Sequence, residues 1–297
     1  MIYDLVIVGM GISGITAAIY AKRGNLNVLI IDKSMPGGLL NNIEKIDNYP
    51  GFESISGPDL AEKLMNQINK LGVDIKYDEV LKVTLENEIK IIKTKNGEFK
   101  TKRIIIATGR SQRTLNLPLE DKLLGKGIST CALCDGHFFK NKVVAVVGGG
   151  NSALQESLYL ANIVKKIYLV HRKDIFNAQK EIIDKVTNTK NIQIINNDHV
   201  TALHEKDGIL SKITLQNYGD LPVDGLFIYI GFSPKTGFAN ELKITNDNGY
   251  ILVDERQETN VKGIYAAGDI VNKQIYQLVT AASEGATAAI NVINSLK

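Results

Sequence analysis

Two cysteines lie close together near the middle of the chain, in the segment CALCDG, and the sequence has no others. Cys131 and Cys134 have the spacing C-x-x-C, the shortest common spacing for a pair that cycles between dithiol and disulfide. Asp135 follows directly, and its carboxyl group could exchange a proton with the sulfur that leaves when such a disulfide opens. The pattern predicts redox chemistry, with Cys131, Cys134 and Asp135 as the candidate catalytic residues.

A zinc site is the alternative for the same segment. With His137 the segment reads C-x-x-C-x-x-H, a spacing that could supply three ligands, whereas zinc usually takes four. The other three histidines of the chain fall in other predicted elements. We therefore favour the redox pair, predict no metal, and interpret His137 as a surface or interface residue.

Glycines mark a first candidate dinucleotide site, between a predicted strand at residues 3–8 and a predicted helix at residues 13–23. They follow the pattern G-x-G-x-x-G: Gly9, Gly11 and Gly14. Such glycines permit a tight turn, a close approach of the backbone to a pyrophosphate, and close packing of helix on strand. Asp32 ends the next predicted strand, where a carboxylate could accept hydrogen bonds from ribose hydroxyls. A glycine-rich turn without a ligand is the alternative.

A second candidate dinucleotide site lies about 140 residues further on, between a predicted strand at 143–147 and a predicted helix at 151–161. Its pattern is G-x-G-x-x-A: Gly148, Gly150 and Ala153. The strand that follows ends in His171-Arg172-Lys173 rather than in an acid. Because cations favour a 2′-phosphate, this half is predicted to bind NADPH rather than NAD. The alternative is that the two cations are only a solvated strand end.

The repeated strand–helix–strand order predicts an α/β fold with two Rossmann-like dinucleotide-binding domains of the three-layer ββα type. Each half also contains a predicted antiparallel meander, and two stretches, 110–118 and 241–249, look like linkers. The second domain is therefore predicted to be inserted in the first. The predicted boundaries give residues 1–112 and 246–297 to an FAD-binding domain, and 113–245 to an NAD(P)H-binding domain that carries the cysteines.

The composition limits the class of protein and of partner. The chain has 297 residues, 44% hydrophobic and 23% charged, which is typical of a soluble globular protein. Its formal net charge is +3 with scattered Lys and Arg, so we expect no nucleic-acid partner. Neither a membrane helix nor a signal peptide is predicted. We expect a cytoplasmic protein, in which a Cys-x-x-Cys pair is better interpreted as reactive than as structural.

Two dinucleotide sites and one cysteine pair suggest a relay of electrons. Two dinucleotide folds in one chain imply two dinucleotides, and the simplest chemistry between them is hydride transfer from a nicotinamide to a flavin. A flavin can pass two electrons on to a disulfide. The cysteine pair would then be the group that delivers these electrons.

The chain resembles the low-molecular-weight thioredoxin reductases of bacteria and archaea, class II members of the FAD-dependent pyridine nucleotide-disulfide oxidoreductases. The similarity runs from residue 3 to about residue 294. The matching segments, in order, are VIVGMGISG, GGLLNNIEKIDNYPGF, IIIATG, CALCDGHFF, VVGGGNSALQES, HRKDIFNA, IYAAGDI and QLVTAASEGATAA.

This resemblance implies a homodimer that contains FAD and reduces thioredoxin or a thioredoxin-like protein with NADPH. Cys134 would face the flavin, Cys131 would attack the protein substrate, and Asp135 would be the acid. The inserted domain would rotate about the two linkers, since one flavin cannot face both the disulfide and the nicotinamide at once.

The resemblance also implies the residues of the two dinucleotide sites. Those expected to hold FAD are Gly9, Gly11, Ile12, Ser13, Gly14, Asp32, Lys33, Gly37, Gly38, Leu39, Asn48, Val80, Ala107, Thr108, Gly109, Gly268, Asp269, Gln277 and Leu278. Those expected to hold NADPH are Gly148, Gly150, Asn151, Ser152, Ala153, His171, Arg172, Lys173 and Asn177.

The chain departs from the family pattern at the nucleotide site. Lys173 and Asn177 stand where the family usually has arginines, and each lost bidentate contact weakens selection for a 2′-phosphate. NADPH remains the favoured donor, and NADH or a non-pyridine donor, ferredoxin or a deazaflavin, is the alternative. Two other functions stay open. One is a dithiol oxidase that acts on a small molecule, and the other is a non-catalytic regulator that binds a metal or a nucleotide.

Overall fold

The structure is a computed structural model that describes residues 1–43 and 45–297. The chain forms two compact units. Unit 1 comprises Met1–Ser111 and Ser233–Lys297, and unit 2 comprises Gln112–Phe232. The prediction of an α/β protein with one dinucleotide-binding fold inserted in another is confirmed.

The elements follow one another along the chain as parallel strands, helices and meanders. The strands are β1 (Ile2–Val8), β2 (Val28–Asp32), β3 (Asp74–Tyr77), β4 (Val80–Glu86), β5 (Ile89–Thr94), β6 (Glu98–Ile106), β7 (Arg110–Gln112), β8 (Ile128–Ser129), β9 (Val143–Gly148), β10 (Lys166–His171), β11 (Ile192–Asn196), β12 (Val200–Lys206), β13 (Ile209–Leu215), β14 (Gly219–Pro222), β15 (Gly225–Tyr229), β16 (Phe232–Pro234) and β17 (Ile264–Ala266). The α-helices are α1 (Ile12–Arg23), α2 (Gly57–Lys70), α3 (Glu120–Leu123), α4 (Ala132–Asp135), α5 (Asn151–Ala161), α6 (Lys180–Thr187) and α7 (Leu278–Ser295). Short 3₁₀ helices cover Gly38–Asn42, Gly136–Phe139 and Gly237–Leu242.

Unit 1 is built on one sheet of seven strands in the order β3-β2-β1-β6-β5-β4, with β17 also paired to β6. Strands β3, β2, β1, β6 and β17 are parallel, and β4, β5 and β6 form the predicted antiparallel meander. The parallel strands are continuous apolar runs, such as Val28–Ile31 in β2, because both faces of the sheet are buried: Val28 and Ile30 pack in one core cluster, and Leu29 and Ile31 in another. The long strand β6 therefore belongs to both the parallel part of the sheet and the antiparallel meander.

Small residues bring α7 close to α1, behind the sheet of unit 1. Gly285 of α7 lies against the backbone of Ser13, where a Cβ would overlap the Ser13 carbonyl oxygen. Ala17 and Ala18 of α1 and Ala288 of α7 are fully buried in the same core. This packing fixes the start of α1, which carries the first glycine turn.

Unit 2 has a parallel five-stranded sheet in the order β11-β10-β9-β15-β8, and a separate antiparallel sheet of β12, β13 and β14. The predicted helix over residues 151–161 is confirmed as α5, and the predicted strands on either side of it are confirmed within one residue. Here too the central strands are apolar and buried, with Val144, Val146 and Leu169 fully enclosed. The two units thus repeat one strand–glycine turn–helix–strand arrangement.

The second predicted boundary, between residues 245 and 246, is not where the chain divides. The chain passes between the units at Ser111/Gln112 and again at Phe232/Ser233, so the predicted linker at 241–249 lies inside unit 1. The reason is that three apolar side chains within and beside this polar stretch are buried in the core of unit 1: Ala239, Leu242 and Ile244. Only the first boundary lies within one residue of the predicted place.

No helix within residues 1–43 and 45–297 combines the length and the hydropathy needed to cross a membrane.

Asp198 ties the start of the meander in unit 2 to the turn between β13 and β14. Its side chain is buried and accepts hydrogen bonds from the backbone N–H groups of His199, Asn217 and Tyr218, at 2.8, 3.1 and 2.9 Å. Burial acts to raise the pKa of Asp198, but the hydrogen bonds from Asn217, Tyr218 and His199 outweigh it, so the pKa lies below its ordinary value. The ionised carboxylate is therefore part of the fold.

We predict that Asp198→Ala lowers the free energy of unfolding by about 1–3 kcal/mol at pH 7, because buried N–H groups lose their acceptor. Since the folded-state pKa is depressed, the wild-type contribution is complete above the unfolded pKa of about 4 and is lost as the pH falls below it. Urea unfolding followed by circular dichroism at pH 7 and pH 3 measures both effects. The exposed Asp184 of α6 supplies the control, and an equal loss in Asp184→Ala would contradict the prediction.

Candidate active site

Cys131 and Cys134 are joined in a disulfide, with their Cα atoms 5.3 Å apart. Cys131 is the N-cap of the short helix α4, and its Sγ accepts the backbone N–H of Cys134 at 3.1 Å. A sulfur at a helix N-terminus that receives an N–H group is favoured as a thiolate once the pair is reduced. The pair is therefore asymmetric, and Cys131 is the better place for negative charge.

Two hydroxyl groups hold the backbone of the cysteine segment. The Oγ of Ser129 accepts the Cys131 N–H at 3.0 Å and donates to Asp135 Oδ2 at 2.6 Å. The Oη of Tyr229, at the end of β15, accepts the Ala132 N–H at 2.7 Å. The candidate acid Asp135 is thus positioned by a hydroxyl that also binds the backbone of Cys131.

Burial raises the pKa values of two ionisable groups near the cysteine segment, Tyr229 and Glu156. Burial raises the pKa of Tyr229 well above its ordinary range, and the negative charges of Glu156 and Asp135 add to this effect. Burial also raises the pKa of Glu156, on α5. Tyr229 is therefore a neutral phenol, and its Oη is free of charge where it accepts the Ala132 N–H.

The first glycine turn has the geometry that its sequence predicts. Gly9 has φ +111°, which only glycine adopts readily, and a Cβ there would overlap the carbonyl oxygen of Ala107 at the end of β6. A Cβ on Gly14 would overlap the carbonyl oxygen of Gly9. At Gly11, in contrast, a Cβ would meet no atom within 4 Å. The glycines at either end are required by packing, whereas Gly11 borders open space.

That open space fits a pyrophosphate. Gly11 is the N-cap of α1, and among the described residues no side chain caps the first turn of this helix or places an acid there. The N–H groups of such a turn are ready to bind phosphate oxygens. Asp32, at the end of β2, accepts the Met10 N–H at 2.6 Å, so its carboxylate lies against the turn where a ribose would follow. The residues fit an FAD.

Several other predicted FAD residues gather at the same turn. Gly37 donates its N–H to the Met10 carbonyl at 2.7 Å, and a Cβ on Gly38 would lie 3.6 Å from the Cα of Gly11. Ser13 donates its hydroxyl to the Ala267 carbonyl at 3.2 Å, next to Gly268. Together with Asp32, the structure therefore brings together residues from four parts of the sequence: 9–14, 32, 37–38 and 267–268.

The remaining predicted FAD residues are spread more widely in unit 1. Asn48 donates to the side chain of Gln277 at 3.2 Å, Lys33 pairs with Glu79 at 2.6 Å, and Thr108 donates to the Lys235 carbonyl at 3.1 Å. The backbone nitrogen of Thr108 also lies beside the glycine turn, 2.9 Å from where a Cβ on Gly9 would be. Further predicted FAD residues are Leu39, Val80, Gly109 and Leu278, whereas Ile12 begins α1 at the glycine turn itself. The role of all these residues stays a prediction.

A partly buried ionic network surrounds Asp269, the residue expected to contact the ribityl chain. Its carboxylate is 2.9 Å from Nη2 of Arg110 and 3.8 Å from Nζ of Lys273, and Lys273 also binds Glu284 at 2.8 Å. The Arg110 guanidinium lies 4.0 Å from the centre of the Tyr276 ring, an arrangement typical of a cation–π contact. The sequence did not point to Arg110, Lys273 or Glu284, because their link to Asp269 depends on contacts between distant segments.

The second glycine turn repeats the first within unit 2. Gly150 is the N-cap of α5, again without a side-chain cap among the residues that the structure describes, and a Cβ on it would meet only the Asn177 carbonyl, at 3.9 Å. Ala153 is fully buried beneath the turn. Asn151 accepts the Gln179 N–H at 2.8 Å, and Ser152 is exposed. The turn fits a second dinucleotide.

The four residues expected to recognise NADPH after β10 are placed differently from one another. His171 is buried under Gly149, with its Nε2 3.1 Å from the Ile175 carbonyl and its ring stacked on Phe176. Arg172 and Lys173 are exposed, and within residues 1–43 and 45–297 neither forms an ion pair. Asn177 donates its N–H to the Gly149 carbonyl at 2.8 Å, at the turn itself. The two cations are therefore the members of this set that present charge to solvent.

In the part of the chain that the structure describes, no three His, Cys, Asp or Glu side chains form a group that could hold a metal ion. Two dinucleotide turns and a disulfide in one chain define the class of protein as a flavin-dependent disulfide oxidoreductase.

Comparison with known proteins agrees with this class. Residues 3–286 match the family described as pyridine nucleotide-disulphide oxidoreductase. The thioredoxin reductase of Bacillus subtilis is 40% identical over 296 residues, which cover 98% of this chain and 94% of that protein. The crystal structure of Lactococcus lactis thioredoxin reductase (FR conformation) is 37% identical with a TM-score of 0.88, covering 98% of both chains. A ferredoxin-flavin thioredoxin reductase from Clostridium acetobutylicum is 32% identical with a TM-score of 0.56, covering 99% of this chain and 98% of that chain.

The chain therefore belongs to the pyridine nucleotide-disulphide oxidoreductase family. It is an enzyme that uses a flavin and a pyridine nucleotide and reduces disulfides through a redox-active cysteine pair. These predictions are confirmed, whereas the assignment of individual site residues stays a prediction.

We predict that Gly11→Ala folds but loses FAD. Its φ of −75° suits alanine and no atom would meet the new Cβ, yet the methyl group would occupy the space over the turn. Crowding a bound ligand in this way costs about 1–3 kcal/mol, so FAD affinity should fall about tenfold or more. Visible flavin absorbance per protein, together with thermal unfolding of the apoprotein, measures the two effects.

Gly150→Ala is the matched control for this experiment. It places the same methyl group at the equivalent turn of unit 2, where we expect full FAD content and weaker binding of the pyridine nucleotide. An unchanged FAD affinity in Gly11→Ala would show that the turn does not hold the flavin.

Proposed function

We propose that the protein is a thioredoxin reductase that takes electrons from NADPH and passes them through FAD and the Cys131–Cys134 disulfide to a thioredoxin-like protein. When bound, FAD would supply the two-electron chemistry that links a nicotinamide to a disulfide. The observation that carries the proposal is the disulfide at the N-terminus of α4, in the unit that has its own dinucleotide turn. The naming of the Bacillus subtilis and Lactococcus lactis relatives supports thioredoxin as the substrate.

The two cysteines are proposed to have different roles. The N–H of Cys134 is directed at Sγ of Cys131, so the reduced pair would hold its thiolate on Cys131, and this thiolate would attack the disulfide of the protein substrate. Cys134 would then displace the substrate by attacking Sγ of Cys131. Asp135, oriented by the Ser129 hydroxyl, would exchange the proton that the departing sulfur needs.

The cysteine roles are tested with purified thioredoxin as substrate. Cys134→Ser should abolish thioredoxin reduction while the flavin is still reduced by NADPH, because only the second transfer of electrons needs the pair. Cys131→Ser should behave in the same way. Thioredoxin reduction that persists undiminished in either variant would rule out this pair as the route.

NADPH is proposed as the donor because Arg172 and Lys173 are exposed cations after β10, next to the second glycine turn. Asn177 weakens this selection, since an amide cannot replace a guanidinium opposite a phosphate. The Clostridium acetobutylicum relative, a ferredoxin-flavin thioredoxin reductase by its title, makes reduced ferredoxin the second candidate donor. NADH is the third.

We predict that Arg172→Ala raises the KM for NADPH about tenfold or more, and that Lys173→Ala has a smaller effect in the same direction. The KM for NADH should change little, since NADH lacks the 2′-phosphate. Anaerobic stopped-flow measurement of flavin reduction by NADPH, NADH and reduced ferredoxin gives the comparison. Lys180→Ala removes another exposed cation of unit 2 as a control, and flavin reduction by ferredoxin alone would overturn the NADPH assignment.

The cellular location of the enzyme is proposed from its proposed substrate. A thioredoxin-reducing enzyme works where thiols are kept reduced, so we propose the cytoplasm. The homodimer and the rotation of the inserted domain, both implied by family resemblance, stay predictions.

A further inference from the structure

The helix that carries the cysteines is very short, and few bonds hold it once the disulfide opens. α4 has four residues, Ala132–Asp135, and its N-terminal N–H groups need partners outside the helix ladder. In the oxidised protein the sulfur–sulfur bond itself fixes the two ends of the segment. In the dithiol this covalent link is gone, so hydrogen bonds from neighbouring elements must keep the two sulfurs together.

Tyr229 supplies one of these hydrogen bonds from a rigid element. It is the last residue of β15, a strand paired with β9 in the centre of the sheet of unit 2. Its Oη accepts the N–H of Ala132 at 2.7 Å, and Ala132 is fully buried. The bond therefore joins the buried first residue of α4 to the sheet.

The chemistry of the phenol suits this role at every working pH. Burial and the nearby charges of Glu156 and Asp135 raise its pKa, so it remains protonated. A neutral phenol accepts one hydrogen bond without placing a second negative charge beside the Cys131 thiolate. Glu156 on α5 and Asp135 on α4 are the charged groups that face it.

We propose that Tyr229 is a positioning residue for the redox pair: its hydroxyl holds the first turn of α4 on β15 after the disulfide has opened, and so keeps Cys134 in place to close the bond on Cys131 again. Ser129 holds the preceding residue in the same way, through the Cys131 N–H at 3.0 Å. The two hydroxyls thus replace the lost covalent link.

The consequence is an equilibrium that favours the disulfide. When the pair equilibrates with glutathione, two glutathione thiols give two electrons and two protons to the Cys131–Cys134 disulfide, and one glutathione disulfide forms. Ordering of the dithiol raises the effective concentration of one sulfur at the other and shifts this balance toward the protein disulfide. Loss of the Tyr229 hydroxyl should therefore make the dithiol easier to obtain and the disulfide easier to reduce.

The experiment compares the FAD-containing wild type with Tyr229→Phe, which removes only the oxygen. Each protein is equilibrated without oxygen in glutathione buffers of varied ratio and quenched with acid. The state of the Cys131–Cys134 peptide is then read by alkylation and mass spectrometry, which reports the pair whatever the state of the flavin. Tyr168→Phe is the matched control, because it removes a hydroxyl from β10 of the same unit that lies 3.0 Å from Nζ of Lys166.

We expect the equilibrium constant for disulfide formation to fall about three- to tenfold in Tyr229→Phe, the effect of one lost hydrogen bond, and to stay unchanged in Tyr168→Phe. A purely structural role would lower the unfolding temperature without moving this constant. A constant equal to that of the wild type, or an equal fall in Tyr168→Phe, would overturn the proposal. Should Tyr229→Phe fail to fold, Ser129→Ala must shift the constant in the same direction, and an unchanged constant there would equally refute the role of the hydroxyls.

Discussion

The close approach of the strand and helix backbones at the glycine turns is the constraint on which the structure depends. In unit 1 the turn at Gly9 lies against the end of β6, where any side chain would overlap the Ala107 carbonyl oxygen. Because the turn lies so near the sheet, α1 begins directly above the carboxyl ends of the parallel strands, with its free N–H groups facing outward. Asp32 reaches the same turn from the next strand. A dinucleotide site follows from this geometry in each unit, and two such sites are needed for an electron relay.

The cysteine pair is the second requirement, and its chemistry depends on hydrogen bonds rather than on the sulfurs alone. Two identical side chains become different because the Cys131 sulfur receives the backbone N–H group of Cys134. Ser129 and Tyr229 fix the backbone that makes this difference, one from β8 and one from β15. The adjacent strands of the sheet of unit 2 thus determine which sulfur is expected to meet the substrate.

The repeated parts of the fold could be predicted from the sequence because they depend on local patterns. Apolar runs such as residues 143–147 can only be buried strands here, and the helix at 151–161 follows a glycine turn that fixes its start. The second boundary, at Phe232/Ser233, could not be predicted in this way. The stretch 241–249 is mostly polar and looks like a linker, but it contains Leu242 and Ile244, whose burial depends on distant strands of unit 1. Sequence spacing alone cannot show whether an apolar residue in a loop is buried in a hydrophobic core.

The candidate site likewise contains residues that the sequence could predict and residues that it could not. Gly11, Asp32 and the cysteines follow motifs in which a few neighbouring residues fix the geometry, so they could be named in advance. Arg110 and Tyr229 could not, since Arg110 is 159 residues from its partner Asp269 and Tyr229 is 97 residues from Ala132. For Tyr229 the sequence held one signal, a hydroxyl-bearing residue at the end of the buried run GLFIY.

An anaerobic reductive titration most directly tests whether electrons pass from the flavin to this disulfide. The FAD-containing protein should take up about four electrons per flavin, two for the flavin and two for the disulfide. The variant with both Cys131→Ser and Cys134→Ser should take up about two, since only the flavin remains. An uptake of about two electrons in the wild type would contradict the relay, because the disulfide would then not exchange electrons with the flavin.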